Sequence, residues 1–323
     1  MTSLRHVQCY ALFALLGVLS PALLWAGSTN TIRFAFQDRI GSLLPLVAVH
    51  KGYFRDAGLS VKPLHFSNGP ACAEALYTGA ADISTMGDTT AIITVTRNPR
   101  FRIFASHASG EHRHRLMVRP EAAQASLADL QGKRVAVKKG TSTYGGLLAA
   151  LKEAQVNPAA IHLIDIAPAT MLTALEAGAV DAFAASEPTP SLAEERGARG
   201  LCTFGGLGNL YPIFMLARQD FMRTHAEEFK GFVMALHRAE QYAQTHPQEV
   251  VTLMARQTSL SPKATCAALA RHQFQLRLDG AIVHSLHETA DFLHRQGIIE
   301  QVPEWQQVVE PSVLVELHES RQE

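Results

Sequence analysis

The chain has 323 residues, and its 29 Lys and Arg residues balance 29 Asp and Glu, so the formal net charge is zero. This balance disfavours a protein that binds nucleic acid through bulk positive charge. A charged fraction of 18% beside 47% hydrophobic residues argues against a disordered chain. The length predicts about two domains, with enough residues for real hydrophobic cores.

The first 26 residues have the layout of a secretory signal peptide. Arg5 precedes an apolar run from Tyr10 to Trp25, and Ala26 offers a small residue at the predicted cleavage site. A retained membrane anchor is the alternative, but Pro21 and the short unbroken apolar run count against a stable span. We therefore predict that residues 1–26 are a signal peptide and that the chain is exported.

After removal of this segment the chain keeps three cysteines, Cys72, Cys202 and Cys266. Their wide spacing and odd number indicate neither a disulfide framework nor a zinc site, although one disulfide stays open as an alternative. The fold must therefore depend on its cores.

From residue 31 the chain alternates short β-rich runs with apolar helical segments. The first unit predicts strands at 32–36, 60–66 and 82–86, and helices at 43–58, at 71–79 and from 87–90 onward. The second unit predicts strands at 134–138, 161–166 and 181–186, and helices at 144–155 and 168–178. Further helices are predicted at 219–246, 247–258, 261–273 and 282–297. Strand–helix–strand units require parallel pairing, which predicts an α/β fold with mostly parallel sheets.

A sequence motif relates the two units. The pattern Ala-Leu-x-x-Gly-Ala-x-Asp at 75–82 occurs again at 174–181, and counting six residues on from each Asp gives Asp88 and Glu187. We interpret the units as two lobes. The predicted first lobe is 27–118 plus 218–323, and the second, inserted lobe is 119–217.

The segment Gly140 to Thr143 is predicted to form an anion site at the start of a helix. A helix N-terminus presents unpaired N–H groups and a partial positive charge, and three hydroxyl groups adjoin it here. The P-loop spacing is absent, so a nucleotide phosphate is not indicated. The alternative is that Thr141 or Ser142 only caps the helix.

Asp88 and Glu187 occupy equivalent places after the third strand of each unit. Ligands bind beside the carboxyl ends of parallel strands, so both carboxylates are expected to border one cleft. A buried carboxylate needs a partner, and an ammonium group on the ligand would provide one. The alternative for Asp88 is helix N-capping, which Asp does well, whereas Glu is a poor N-cap.

Three histidines, His107, His112 and His114, lie close together in sequence. A His-x-His pair on a strand puts both rings on one face, but Glu111 is the only further ligand nearby, so we predict no metal site. We interpret the segment as a polar crossing near a hinge. No G-x-S-x-G or paired-cysteine motif indicates nucleophilic catalysis.

The joint order of these elements resembles a known family. In five stretches the chain is similar to the periplasmic substrate-binding proteins of nitrate, sulfonate and taurine ABC importers, and to thiamin-pyrimidine precursor binders: GSLLPLVAVHKGYFRDAGLSV, HFSNGPACAEALYTGAADISTMGDTTAI, LADLQGKRVAVKKGTSTYGGLLAALKEAQV, MLTALEAGAVDAFAASEPTP and HETADFLHRQG. The resemblance implies the type II periplasmic binding protein fold, with two α/β lobes joined by two crossing strands and a ligand cleft between them.

The resemblance also implies which residues line the cleft. Carried over by motif position, they are Gln37, Asn68, Gly69, Thr89, Thr90, Thr141, Ser142, Thr143 and Tyr144. Relatives often have a Trp before the position of Glu187-Pro188, and many sulfonate binders have Gly or Ser in place of Asp88. Both departures favour a ligand with a cationic or donor-rich group over bare nitrate.

We therefore predict a monomeric periplasmic solute-binding protein, not an enzyme and without cofactors. It would deliver a small anionic or zwitterionic solute, sulfonate-like or taurine-like, to an ABC permease. Two alternatives stay open. One is an enzyme on the same fold, of the pyrimidine-precursor or menaquinone-pathway type, and the other is a sensory ligand-binding domain.

Overall fold

The computed structural model describes residues 31–319. The predicted signal peptide, residues 1–26, lies outside the described residues. Within the described part, no helix has the length and apolar character needed to cross a membrane.

Residues 31–319 form ten strands and fourteen α-helices. The strands are β1 Ile32–Gln37, β2 Val61–Phe66, β3 Ile83–Gly87, β4 Phe101–Ala108, β5 His114–Val118, β6 Arg134–Val137, β7 His162–Asp165, β8 Ala182–Ser186, β9 Arg199–Thr203 and β10 Ile213–Arg218. The helices are α1 Leu43–Lys51, α2 Tyr53–Asp56, α3 Gly69–Tyr77, α4 Asp88–Arg97, α5 Ser142–Glu153, α6 Pro168–Glu176, α7 Thr189–Glu195, α8 Gln219–Thr224, α9 Ala226–Thr245, α10 Pro247–Thr258, α11 Pro262–Leu269, α12 Gly280–Arg295, α13 Trp305–Val308 and α14 Ser312–Glu319.

The strands form two five-stranded mixed sheets. The first has the order β2-β1-β3-β10-β4, and the second has the order β7-β6-β8-β5-β9. The strands pair in parallel except along β10 in the first sheet and β5 in the second, which are antiparallel to both neighbours. Four strands of each sheet thus share one direction, and the predicted α/β fold with parallel-rich sheets is confirmed.

Two segments connect the sheets. Residues 109–113 lead from β4 in the first sheet to β5 in the second, and residues 204–212 lead back to β10. We propose that these linking segments separate a first lobe, residues 31–108 with 213–319, from a second lobe, residues 114–203. The proposed boundaries differ from the sequence-based ones because β5 pairs within the second sheet and all of β10 within the first.

Helices cover both faces of each sheet. Successive side chains along a strand point to opposite faces, so neighbouring residues pack into different cores. Along β1, Phe34 and Phe36 pack into a core with α1 and α9, whereas Ala35 packs with α3 and α12 on the opposite face. The Phe34 and Phe232 rings meet edge to face at 4.8 Å, which attaches the late helix α9 to the first lobe. In β6, Val135 and Val137 face α5, and Ala136 faces α6.

Several predicted helix boundaries differ from the structure, and three of the differences have a visible local cause. The helix predicted at 43–58 is interrupted at Gly52, whose φ of 74° lies in the left-handed region that favours glycine. The helix predicted at 219–246 is broken at His225, which has a ψ of 47°. Helix α3 begins at Gly69, two residues before the prediction, because the Asn68 side chain caps it by accepting from the N–H of Ala71.

The repeated motif has a structural cause. In the first lobe, Arg33 donates from Nε and Nη2 to Asp82 at 2.9 and 2.6 Å, and its Nη1 reaches the carbonyl of the motif glycine. In the second lobe, Arg134 donates to Asp181 at 3.1 and 2.9 Å and again reaches the motif glycine. Each Asp also accepts the backbone N–H of its Arg. The motif therefore fixes the turn before the third strand of each lobe to the start of the first strand.

We expect the D181N variant to lose stability at neutral pH but to lose less than the wild type on acidification. Hydrogen bonds from Arg134 lower the pKa of Asp181 to about 2, below its value of about 3.9 in an unfolded chain. A depressed native pKa stabilises the fold fully above the unfolded pKa, and this contribution disappears as the pH falls through the native pKa. Urea unfolding of both proteins between about pH 2 and pH 6 measures the difference. A difference that stays constant over this range would contradict the prediction.

Candidate functional site

A cavity of about 410 Å³ lies between the two lobes. Residues at or just beyond the carboxyl ends of β1, β2, β3, β6 and β8 line it, which is where an α/β sheet binds ligands. Residues 257–259, at the end of α10, close one side. The cavity is therefore built by both lobes, as the sequence predicted for a cleft.

The structure brings seven of the predicted site residues together around this cavity: Gln37, Gly69, Thr90, Thr141, Ser142, Thr143 and Glu187. Four others do not line it: Asn68, Asp88, Thr89 and Tyr144. Asn68 serves as the cap of α3, and Thr89 borders a separate cavity beyond the contact between α4 and α5.

The start of α5 presents hydrogen-bond donors to the cavity. Thr141 is the N-cap, because its hydroxyl accepts from the N–H of Tyr144 at 3.3 Å and donates to the carbonyl of Lys138 at 2.7 Å. Thr141 thus caps α5 and also lines the cavity. The next two residues, Ser142 and Thr143, have N–H groups without intrahelical acceptors. The buried hydroxyl of Ser142 also has no hydrogen-bond partner in residues 31–319.

Arg39 supplies the positive charge of the site, and the sequence analysis did not select it. It follows β1 and lines the cavity half-buried. Burial lowers the pKa of its guanidinium to about 10, so it stays charged at neutral pH. Among the described residues, no hydrogen bond or ion pair engages this guanidinium. A desolvated cation without a partner is costly, and an anion in the cavity would compensate it.

His114 lines the cavity next to the start of α5. Its Nδ1 lies 2.7 Å from the hydroxyl oxygen of Thr143, and its buried Nε2 has no partner within the described ranges. Burial, with Arg113 and Arg39 nearby, holds the pKa of His114 well below its usual range, so the ring is neutral. His112 instead contacts Thr203.

The described part of the chain contains no group of three or more His, Cys, Asp or Glu side chains placed to hold a metal ion. His107 is fully buried, and burial lowers its pKa to about 3. The three described cysteines are unpaired. Burial raises the pKa of Cys72 to about 12, so this residue is an inert thiol rather than a nucleophile.

Glu187 borders the cavity, but its carboxylate already has protein partners. Its Oε1 lies 3.3 Å from Arg115 and 3.6 Å from Arg271, and its Oε2 accepts from the N–H of Ser191 at 3.2 Å. The side chain is fully buried. The predicted pairing with an ammonium group of the ligand therefore needs correction, since two guanidinium groups already balance this charge.

Asp88 is fully buried and faces away from the cavity. Its carboxylate accepts from the N–H of Thr89 at 2.6 Å and from the side-chain amide of Asn209 at 3.0 Å. Its own N–H donates to the carbonyl of Pro212. Asp88 thus fastens α4 to the second linking segment and does not contact the space available to a ligand.

Arg113 joins the two linking segments below the cavity. From the first segment it donates twice to the carbonyl of Tyr211 in the second, at 3.1 and 2.8 Å, and once to the hydroxyl of Ser186 at 3.0 Å. Burial lowers its pKa to about 9. The first linking segment therefore carries a second buried guanidinium, that of Arg113, close to the proposed anion site.

The cavity lining also includes apolar side chains. They are Phe66, Pro168, Ala169, Met171, Ala184, Ala185, Pro188 and Leu192. This surface can cover an alkyl group but offers no partner for a second charge.

The lobes touch across the cleft. The hydroxyl of Thr90 donates to the carbonyl of Gly140 at 2.8 Å, and the N–H of Ser261 donates to Glu195 at 3.1 Å. Together with the ion pair between Glu187 and Arg271, these contacts hold the two lobes against each other, so the cleft is closed.

The sequence of residues 43–250 matches the protein family described as NMT1/THI5 like. This stretch is more than half of the chain. The chain belongs to the NMT1/THI5-like family.

Two named relatives of this NMT1/THI5-like chain are bacterial binding proteins. A protein of Bacillus subtilis (strain 168), named as an aliphatic sulfonates-binding protein, is 27% identical over 285 residues, which cover 86% of this chain and 85% of the relative. The taurine-binding periplasmic protein of Escherichia coli (strain K12) is 23% identical over 265 residues, 77% of this chain and 82% of the relative.

Solved structures share the fold of the NMT1/THI5-like chain. The alkanesulfonate-binding protein SsuA from Xanthomonas axonopodis pv. citri, bound to MOPS, superimposes with a TM-score of 0.80 at 23% identity, over 87% of this chain and 98% of that chain. The desulfurization enzyme DSZB superimposes with a TM-score of 0.71 at 18% identity, over 90% and 99%. The fold is thus common to binding proteins and at least one enzyme.

Arg39 and His114 are two cavity residues that were not predicted as ligand contacts, and they differ in how visible they were. Arg39 lies three residues after the first predicted strand, in a polar loop expected to border the cleft, so its charge was an available signal. His114 was singled out, but its contact with Thr143 depends on the folded chain.

Proposed function

We propose that the chain is a periplasmic solute-binding protein that captures a small aliphatic sulfonate and presents it to an ABC importer. The observation that carries this proposal is Arg39, a desolvated guanidinium facing the cavity without a protein acceptor. Buried charges are normally paired, so the side chain is prepared for an anion. The start of α5 contributes further donors to the same anion.

The two kinds of cavity surface support an anion with an alkyl group rather than a bare inorganic anion. The charged head would lie against Arg39 and the first residues of α5, and the tail against Phe66, Met171 and Leu192. MOPS, the molecule bound to the similar SsuA protein, also carries a sulfonate on an alkyl chain. Because Glu187 is already paired, we favour a plain alkanesulfonate over a ligand that requires an ammonium contact.

The family and the closure of the cleft support the proposed delivery to an importer. Two relatives are named as sulfonate-binding and taurine-binding proteins, and the latter is named periplasmic. The predicted signal peptide at 1–26 agrees with that compartment. A ligand that binds the closed form better shifts the lobes toward it, and a permease can recognise that form.

Thermal unfolding with candidate solutes tests the binding proposal. At a ligand concentration about 100 times Kd, binding should stabilise the chain by about 2.7 kcal/mol. We expect ethanesulfonate and other short alkanesulfonates to raise the melting temperature, taurine to raise it less, and nitrate and sulfate least. The absence of a shift with every small sulfonate would overturn the proposal.

An enzyme is the second candidate, because the desulfurization enzyme DSZB has the same fold. Two features weigh against it. The Thr143–His114 pair resembles a nucleophile and base, but the pKa of His114 is far too low for an effective base, and no described residue orients its Nε2. The Cys72 thiol is held protonated by burial. Mass spectrometry of each sulfonate after incubation with the chain decides, since a binding protein returns it unchanged.

A further inference from the structure

We propose that His114, oriented by Thr143, contacts the ligand and determines its charge: the imidazole donates a hydrogen bond from Nε2 to the bound oxyanion and, as a neutral donor, restricts the site to singly charged anions. This inference rests on the proposed function and specifies the substrate class further. Neither the family match nor the relatives' names assign a role to this residue.

The contact with Thr143 allows the ring proton to lie on Nε2. The Thr143 hydroxyl and His114 Nδ1 are 2.7 Å apart, and this hydroxyl has no other partner in the described chain. Its proton is therefore free to be donated to Nδ1, and we assign the ring proton to Nε2. The His114 ring also packs edge to face against Tyr211, with 4.7 Å between ring centroids, so it cannot turn freely.

His114 has an unpartnered ring nitrogen and belongs to the cavity lining. His114 is 1% exposed, it lines the cavity, and its Nε2 is a buried polar atom without a protein partner. The hydroxyl of Ser142 is buried and unpartnered in the same wall. Buried donors are normally satisfied, so two unsatisfied donors beside one cavity indicate an acceptor supplied by the ligand.

Charge bookkeeping at the cavity favours a monoanion. The carboxylates of Glu187 and Glu194 balance Arg115 and Arg271, and Lys138 pairs with Asp165 at 3.0 Å. The buried carboxylate of Asp88 offsets the charge of Arg113. Arg39 is left as the uncompensated cation of the cavity lining.

Burial, and then the groups that face His114, keep the imidazole from adding a second positive charge by lowering its pKa. These groups are Arg113, Arg39 and His272, and His272 is itself neutral because burial lowers its pKa to about 3. Asp38, at the exposed side of the cavity, adds a negative charge. A dianion would therefore bury one unbalanced charge, which is strongly unfavourable.

Isothermal titration with ethanesulfonate and ethylphosphonate tests this inference. Both have the same alkyl group, but the phosphonate changes from monoanion to dianion near neutral pH. For the wild type between about pH 6 and pH 8.5, we expect a constant Kd for ethanesulfonate and a Kd for ethylphosphonate that rises about tenfold or more. A phosphonate that binds equally well as a dianion would overturn the inference.

Variants separate a ligand contact from a structural role. We expect H114F to weaken ethanesulfonate binding by about tenfold to 100-fold, and H114Q, which keeps a neutral donor, to stay within about fivefold of the wild type. H112Q is the matched control, because His112 is exposed and contacts Thr203 instead of the cavity, and its Kd should not change. Unchanged binding by H114F would overturn the inference while leaving the proposed function intact.

If H114F does not fold, T143V decides, since it keeps the imidazole but removes the hydroxyl that orients it. A several-fold loss of ethanesulfonate affinity supports the inference, and an unchanged Kd refutes it. A folded wild type that binds no small sulfonate would instead overturn the proposed function, and this inference with it.

Discussion

Replacing Arg39 by glutamine should weaken ethanesulfonate binding by about 100-fold without destabilising the unliganded chain. Loss of one partner of a buried, hydrogen-bonded charge pair costs about 2 to 5 kcal/mol, and the partner here is the ligand. The unliganded chain loses no protein contact, because the guanidinium makes no ion pair or hydrogen bond with residues 31–319. The substitution also removes a desolvated cation, whose burial is unfavourable in the unliganded chain.

Titration calorimetry and urea unfolding of R39Q measure the two effects separately. The control is R100Q, which removes an exposed arginine outside the cavity lining and should change neither quantity. If R39Q bound ethanesulfonate with the wild-type Kd, Arg39 would not be the anion partner. If R39Q unfolded more easily than the wild type, the guanidinium would have a structural role that the contacts do not explain.

Removing the carboxylate of Glu187 should destabilise the fold by about 3 kcal/mol, because Arg271 loses its carboxylate partner in the cleft and the buried Arg115 keeps only its pair with Glu194. Breaking a buried ion pair from one side is costly, since the remaining charge stays desolvated. Because Arg271 belongs to the first lobe and Glu187 to the second, E187A should also loosen the closed form.

Urea unfolding of E187A, beside E176A as a control, checks this expectation. Glu176 pairs with Arg196 at 3.4 Å, but both side chains are exposed, so its loss should cost less than about 1 kcal/mol. Calorimetry with taurine and ethanesulfonate adds a second comparison, because the two ligands differ by an ammonium group. E187A should affect both affinities alike. A loss confined to taurine would restore the carboxylate as a ligand partner and contradict the structure-based interpretation.

The sequence predicted the repeated strand–helix units well because each carries its own periodic pattern. All six strands predicted in the two units occur within a residue or two of their observed bounds. The four strands β4, β5, β9 and β10 were missed. Segments such as FRIFASHA and HRLMV lie outside the repeated strand–helix pattern, and they pair antiparallel with residues far along the chain, as when β10 joins β3 and β4.

For the site, the sequence predicted its location better than its chemistry. The loops after the strands and the start of α5 follow from the geometry of parallel sheets alone. The roles of Asp88 and Glu187 depend on partners that no local pattern shows. Asn209 and Arg271 reach them from distant segments, and only the folded chain reveals that the carboxylates are already satisfied.

Where α4 meets α5, Gly87 and Gly145 allow the two lobes to approach each other closely. A methyl group at Gly87 would collide with the hydroxyl oxygen of Ser142, and one at Gly145 would lie only 2.8 Å from the hydroxyl oxygen of Thr89. Each glycine thus makes room for a hydroxyl side chain of the opposite lobe, and this edge of the cleft closes only because both positions lack a side chain. The substitution Gly87→Ala would place a methyl group against Ser142 and hold the two lobes apart. The cleft would then stay partly open even when a solute is present.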